Sequence, residues 1–496
     1  MNTFETAFRN ASHLTETENG ATALNTTGSK LVDLFATIGS LRDADQTRIE
    51  RLFADAYAED PLLATKIIFY ARDIREGLGE RETFRKLLTY AANNHPEAVL
   101  PNLELIGLYG RWDDIYCLIG TLIDDNMWDV VKAQLYADVK AMSENKPVSL
   151  LAKWLKTADA SSEKTRKLGI YTAKKLGMKV YNYKRILRSL RKYIKVTEGL
   201  MSTQQWDQID YNAVPSKAML NYRNAFTKHD ETRFNDYISK LSTGETKINA
   251  STLYPYDLIE KYLRCGWCGA VLTNQMDPVV EAQWNALPDY VGEGVNAIVM
   301  ADTSGSMTCG NGRPMYTSIG LALYFAEHNK GAYHNLWMSF STNPNIHENK
   351  GETLYQRLAS MDMKDWAGST NLEKAFELIL AIAVKNQSKP EEMPKALIII
   401  SDMEIDYACH GELFYAGMKY KYAQYGYTMP NIIFWNVNSR NDTYHIDSNR
   451  PNTQCFSGQS ASTFKSVIAN IGKTPYEAML SVLNSERYEP IQVAGK

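Results

Sequence analysis

Three short stretches of this chain carry side chains of the kind that hold a hard cation. Asp302-Thr-Ser304-Gly-Ser306 follows the apolar run 296–301, Gly368-Ser-Thr370-Asn371 lies where a loop enters a helical pattern, and Asp402 follows the apolar run Leu397–Ile400. Asp302, Ser304, Ser306, Thr370 and Asp402 together offer two carboxylates and three hydroxyls. An all-oxygen donor set with so little charge suits Mg²⁺, with Mn²⁺ or Ca²⁺ as substitutes, and leaves room for water or a ligand oxygen. A plainer reading stands beside it. Asp and Ser are favoured where helices begin, because their oxygens accept from free backbone N–H groups, so Asp-x-Ser-x-Ser alone also describes a helix cap. Glu404 and Asp406 read as solvated residues beyond Asp402.

The elements that must position these residues have a strand and helix grammar. Residues 296–301 form a short apolar run, a helical stretch follows over 315–328, and a second apolar run occupies 335–341. Another helical stretch at 371–386 leads into 396–400, and Asn431-Ile-Ile-Phe-Trp435 gives one more buried strand. Continuous apolar runs alternating with helices indicate a mostly parallel sheet covered on both faces, a doubly wound α/β domain over 271–496. Ligands of such sheets bind at the carboxyl ends of the strands, which is where all three polar stretches fall. Catalysis is not expected. Phosphotransferases of the haloacid dehalogenase type also end a first strand on Asp, but they need a second Asp two residues on, where this chain has Ser304, and no Ser-His-Asp or Cys-His grouping is evident.

With 496 residues the chain exceeds what one core holds, so a second domain is expected. Residues 1–29, rich in Thr, Asn, Ser and Gly, read as a flexible N-terminal arm. From residue 30 to 270 the pattern is helical. Leu31, Leu34, Phe35 and Ile38 recur at helix-face intervals, and Asp60-Pro61 caps and opens a helix whose apolar face includes Leu63, Ile67, Ile68 and Ala71. Further helices are predicted over 81–94, 99–109, 112–123, 127–143, 148–158, 164–176, 182–197, 214–226 and 230–241, with no strand among them. Many amphipathic helices with short connections predict stacked pairs, a HEAT-like α-solenoid, though no fixed repeat period is visible.

Composition narrows the function classes. Hydrophobic residues make up 44% and charged residues 22%, and no apolar run is long enough to span a bilayer. The opening residues lack a basic segment followed by an apolar core, so a cytoplasmic, membrane-free protein is expected. Six scattered cysteines argue for reduced thiols. Cys265-Gly-Trp-Cys268 has the spacing of half a zinc knuckle but no second Cys/His pair near it, so it reads as two buried thiols near a turn.

The formal net charge of −3 conceals an asymmetry: between Lys153 and Lys195 there are 14 Lys or Arg against Asp159 and Glu163. Within that segment Lys184, Arg188, Arg191 and Lys195 recur at intervals that place them on one helix stripe, with Leu187, Leu190 and Ile194 on the neighbouring one. Arg185 and Lys192 add charge beside the stripe, and Tyr181, Tyr183 and Tyr193 are available for stacking. Such a face suits phosphates of RNA or another polyanion. The same charges also describe an ordinary solvated face.

The Asp302-x-Ser304-x-Ser306, Thr370, Asp402 pattern resembles the metal-ion-dependent adhesion site of the von Willebrand factor A family. That resemblance implies hydroxyl ligation by Ser304, Ser306 and Thr370, direct or water-mediated ligation by Asp302 and Asp402, and an open position for a partner's acidic group. Helical repeats followed by an A-type domain resemble the Ro ribonucleoprotein (TROVE) family. Ile248-Asn-Ala-Ser-Thr-Leu-Tyr-Pro-Tyr-Asp-Leu-Ile259, Ser401-Asp-Met-Glu404 and the segment Phe456–Ile468 are similar to stretches of that family. Lys66-Ile-Ile-Phe-Tyr-Ala-Arg72-Asp-Ile-Arg75, Gly79-Glu-Arg81, Gly110-Arg-Trp-Asp-Asp114 and Trp435-Asn-Val-Asn438 look like a less-studied TROVE-like family found in viruses and cellular genomes. Ro repeats form a ring that binds small and misfolded RNAs. The resemblance therefore implies a ribonucleoprotein scaffold, with RNA, often through a single-stranded end, as first partner and a protein as a second partner at the metal. The competing expectation is a metal-dependent protein-assembly module that does not bind RNA.

Overall fold

The computed structural model describes residues 13–266, 269–273, 275–340, 343–361, 366, 370–406 and 411–495. It consists of an α part and an α/β part. The sheet of the α/β part has six strands: β5 (Ala297–Asp302), β6 (Leu336–Phe340), β7 (Asn345–Glu348), β8 (Ala396–Ser401), β9 (Asn431–Asn436) and β10 (Thr453–Ser457). Two antiparallel pairs precede it in the chain, β1 (Leu14–Glu16) with β2 (Thr22–Leu24) and β3 (Leu263–Gly266) with β4 (Gly269–Leu272).

The sheet order is β10-β9-β8-β5-β6-β7, parallel throughout except for β7, which runs antiparallel on the edge. Every residue of β5 and β8 is buried, as fully covered parallel strands require. Ala301 pairs with Ile400, so Asp302 and Ser401 leave the two central strands side by side. The helices Arg313–His328 and Leu372–Lys385 follow the expected stretches closely. β7 and the helices Leu354–Ala359 and Gly411–Gln424 are additions that the sequence reading did not separate from loops.

In the helical part, Glu82–Asn94, Asp124–Ser143, Glu163–Lys175, Val180–Tyr193, Ser216–His229 and Glu231–Ser242 match predicted helices. Three predictions fail in part. Residues 99–109 and 112–123 are largely 3-10 turns, Leu100–Leu105 and Trp112–Leu118. Pro101 lacks an N–H for the first, and Asp113 and Asp114 of the second are held by Arg85, Arg111 and Arg72. The stretch 148–158 keeps one turn, Leu151–Trp154, because the carbonyls of Ala152 and Leu155 accept from the Arg191 side chain at 2.8 and 2.7 Å.

The expected boundary near residue 270 is not a boundary in packing. A single apolar cluster runs from Leu31 to Val493 through both parts. Helix Lys30–Thr37 lies against β10, and a Cβ added to Gly39 would come within 2.6 Å of the Gly458 backbone, so two glycines allow this contact. Residues from His13 to Ser29 are likewise not a free arm. Thr26 and Thr27 hydrogen-bond the buried Asp33 at 2.5 and 2.7 Å, and Leu24 pairs with Tyr444.

Much of what the motifs of the helical half encode is buried ion pairing. Arg72 and Asp114 are 2.7 Å apart with almost no exposure, Arg42 meets Glu80 at 2.8 Å, and Arg487 meets Asp73 at 2.8 Å. Removing one partner of such a pair leaves an uncompensated buried charge, at a cost of about 3–5 kcal/mol. Among the described residues no helix is long and apolar enough to cross a membrane.

Candidate cation site and basic cleft

Asp302 and Asp402 emerge from adjacent strands and are buried, at 0% and 1% exposure. The first carboxylate accepts from the Ser304 N–H at 2.8 Å and from the Ser401 hydroxyl at 2.5 Å. The second accepts from the Glu404 N–H at 3.3 Å and from Arg440 Nη2 at 3.0 Å. Ser304 and Ser306 place their hydroxyl oxygens 3.0 Å apart. Burial raises both carboxyls above their ordinary range. At Asp302 the charge of Asp402 adds to burial, against the Ser401 and Ser304 bonds; at Asp402, Arg440 and Ser306 oppose it.

This geometry brings Asp302, Ser304, Ser306 and Asp402 together. Thr370 is buried against the loop that follows Asp402: its hydroxyl donates to the Glu404 carbonyl at 3.3 Å, and its carbonyl accepts from the Asp406 N–H at 3.1 Å. Gly368 and Ser369 lie outside the described residues. Ser304 also precedes a short 3-10 turn, Gly305–Thr308, and makes no side-chain cap to it. The simple helix-cap reading therefore does not account for its hydroxyl.

The fit to a divalent cation rests on charge. Of the two neighbouring buried carboxylates only Asp402 meets a guanidinium, that of Arg440, and the hydroxyl oxygens of Ser304 and Ser306 stand beside them, so the donor chemistry matches a hard cation. Among the described residues no three His, Cys, Asp or Glu side chains cluster to hold a metal, so any such ion would depend on the hydroxyls. Cys265 sits in β3 with its thiol pushed up to about 12 by burial; Cys268 lies outside the described residues.

Residues that sequence reasoning missed complete the site. Glu404 is not solvated: it is 2% exposed and accepts from the Glu18 N–H at 2.7 Å and from Asn441 at 3.0 Å. Arg440 connects Asp402 to Glu18, whose carboxylate lies 2.7 Å from its other Nη. Nothing in local spacing signals this, because Glu18 and Arg440 lie 422 positions apart in sequence.

The basic stripe lies on helix Val180–Tyr193 and the turn after it, beside a cavity of about 700 Å³. Lys184, Arg188, Arg191, Lys192 and Lys195 line it, together with Thr157, Ser202, Thr203, Gln205 and Gln208, and Asp159 is the one acidic residue among the lining. Leu187 and Leu190 are buried and Ile194 half-buried, as the neighbouring stripe requires. Two of the expected phosphate contacts are already engaged. Lys184 pairs with Asp159 at 2.9 Å, and Arg191 is held by the two carbonyls that end helix Leu151–Trp154. Arg188, Lys192 and Lys195 are exposed. Arg185 is exposed outside the cavity lining and lies over the Tyr181 ring. Tyr183 is buried and donates to the Lys156 carbonyl at 2.7 Å, so it is not free to stack; Tyr181 is 73% exposed.

The family profile described as domain of unknown function DUF2828 matches residues 17–131 and 149–293, more than half of the chain. The chain belongs to the DUF2828 family. A second profile, domain of unknown function DUF7788, matches residues 296–489, the α/β part of this DUF2828 protein. An uncharacterized protein of Acanthamoeba polyphaga mimivirus is 29% identical over 97% of this chain and 89% of its own length. Among solved structures, proximal thread matrix protein 1 from the mussel byssus aligns at 12% identity over 35% of this chain and 45% of that one, with a TM-score of 0.26, a likeness too slight to carry an argument.

Proposed function

We propose that this DUF2828 protein is a non-catalytic, cytoplasmic RNA-binding scaffold of Ro-like (TROVE) organisation. Its HEAT-like helical half takes RNA, and its von Willebrand factor A-like half holds Mg²⁺, or Mn²⁺ or Ca²⁺ in its place, and through it a protein partner. The observation that carries the RNA reading is the basic cleft: Arg188, Lys192 and Lys195 stand exposed at one cavity of about 700 Å³, with Lys184 and Arg191 engaged beside them and a single carboxylate in the lining. Such a surface suits the phosphates of a single strand, and Tyr181 on the same helix offers an exposed ring.

The metal reading is supported by two buried carboxylates at adjacent strand ends with Ser304 and Ser306 between them and Thr370 on the neighbouring loop. There Asp302 and Asp402 would supply the negative charge and the hydroxyls would complete the oxygen set, with Arg440 beside Asp402 limiting how much positive charge the site admits. A bound cation would supply Lewis acidity toward a partner's carboxylate.

The test is the nucleic acid that accompanies the protein through purification at low salt. RNA that is released by ribonuclease and by high salt, and whose sequences can be read, is the expected result. A protein that carries none and shifts no single-stranded RNA at low salt would overturn the proposal in favour of the assembly module.

A further inference from the structure

Arg440 is placed between two carboxylates from distant parts of the chain and is fully paired with neither. Its Nη2 donates to Asp402 at 3.0 Å and its Nη1 meets Glu18 at 2.7 Å, while its buried Nε has no hydrogen-bond partner among the described residues. A guanidinium at a settled site commonly engages one carboxylate with two parallel bonds. Here it contacts each with one end only.

Glu18 sits on the turn between β1 and β2, and that turn is fastened to the loop after Asp402. Thr17 donates to the Ile405 carbonyl at 2.7 Å, Asn19 to the Glu404 carbonyl at 2.6 Å, and the Glu18 N–H to Glu404 Oε2 at 2.7 Å. Asn441 reaches both Glu18 and Glu404 at 3.0 Å. Strand β2 is anchored by buried Ala23 and by the pairing of Leu24 with Tyr444, whereas β1 has no buried residue, so at the turn itself these polar contacts are what fasten the hairpin.

We propose that Arg440 and Glu18 form a charge switch by which the N-terminal hairpin reports the state of the cation site; this rests on the cation reading of Asp302 and Asp402. Without a cation, Arg440 is the counter-charge of Asp402. A divalent cation at Asp402 puts like charge beside the guanidinium, which leaves Asp402 and closes onto Glu18 with both ends of its fork. Cation and Arg440 therefore compete for Asp402, and Glu18 is the acceptor that makes release of Arg440 favourable. Loading the site tightens the hairpin, and an acidic partner segment arriving at the metal meets the hairpin in its fastened form. Arg440 is a positioning residue here.

The experiment is calorimetric titration of the full chain with Mg²⁺ and Mn²⁺, joined to amide hydrogen exchange of residues 13–24. Arg440→Gln is expected to bind the cation more tightly, by roughly fivefold or more, and Glu18→Gln to bind it more weakly by a similar factor. Arg440→Lys keeps the competing charge and should stay near the parent. Mg²⁺ should slow exchange around Glu18 in the parent and in neither Gln variant. Weaker cation binding by Arg440→Gln, or unchanged hairpin exchange in a parent that does bind Mg²⁺, overturns the switch alone. A parent that binds neither Mg²⁺ nor Mn²⁺ overturns both the switch and the cation reading beneath it.

Discussion

The sheet edge and the basic cleft put polar side chains to use on opposite plans. At the edge, Asp302, Ser304 and Asp402 are short, buried and fixed by where adjacent strands end. In the cleft, long side chains rise from one helix and the turn after it, and Lys184 and Arg191 are already engaged by Asp159 and by two backbone carbonyls. Position at the edge follows from backbone registry, so residue type and spacing predict it well. In the cleft a count of charges overstates the charge available to a ligand, because a guanidinium with five donors readily finds carbonyls within its own molecule.

The largest effect should come at the edge. Asp302→Ala removes one of the two carboxylates, and cation affinity should fall by roughly 100-fold or more, beyond the loss expected for groups that only support a ligand. Calorimetry with Mg²⁺ reads the change, and circular dichroism should report an intact helical half. Unchanged affinity would leave Asp302-x-Ser304-x-Ser306 as a structural loop only and erase the contrast between the two regions.

In the cleft the sharper prediction concerns which charge matters to what. Arg191→Gln loses two charge-assisted bonds to carbonyls, so stability should drop by about 2 kcal/mol in urea unfolding, while the salt dependence of RNA binding stays with the parent. A stable variant with a shallower salt slope would return Arg191 to the phosphate-binding set.

A smaller effect distinguishes the edge by pH. Asp302 is raised to about 7 in the folded chain, above its value of 3.8 as a free side chain. The folded state thus binds the proton more tightly than the unfolded state, so this group's stabilising contribution is present below about 4 and is lost as pH rises through about 7. Without cation, the melting temperature of the parent should decline across that window, and Asp302→Asn should decline less. The increment from Mg²⁺ should grow over the same range in the parent and be absent in Asp302→Asn. Parallel pH profiles for the two proteins would remove the electrostatic strain assigned to the edge.

In the α/β part the buried parallel strands β5, β6, β8 and β9 were legible because they appear as uninterrupted apolar runs, as with 296–301 and 396–400, whereas the exposed edge strand β7 was not. The placement of Asp302, Ser304, Ser306 and Asp402 at one sheet edge could be read for the same reason. Glu18 and Arg440 could not, since only the docking of the N-terminal hairpin brings them together. In the helical half, amphipathic spacing located helices such as Glu82–Asn94 but could not show that Asp113 and Asp114 would be drawn into ion pairs, or that Arg191 would end a helix it does not belong to. Of the expected arm, residues 1–12 lie outside the described residues, and 13–29 could not be read because strands this short take their conformation from what they dock on.

The division of labour between the two regions is tested most directly by the salt dependence of single-stranded RNA binding in two variants. The triple change of Arg188, Lys192 and Lys195 to Gln removes the exposed charges of the cleft, and the slope of log affinity against log salt should fall by about 0.7 for each contact, about 2.1 in all. Affinity should fall alike for unrelated sequences, because phosphate contacts do not read bases. Asp302→Ala should keep the parent's affinity and slope. RNA binding that survives the triple change unaltered and is lost in Asp302→Ala would contradict the account and place the nucleic acid at the sheet edge.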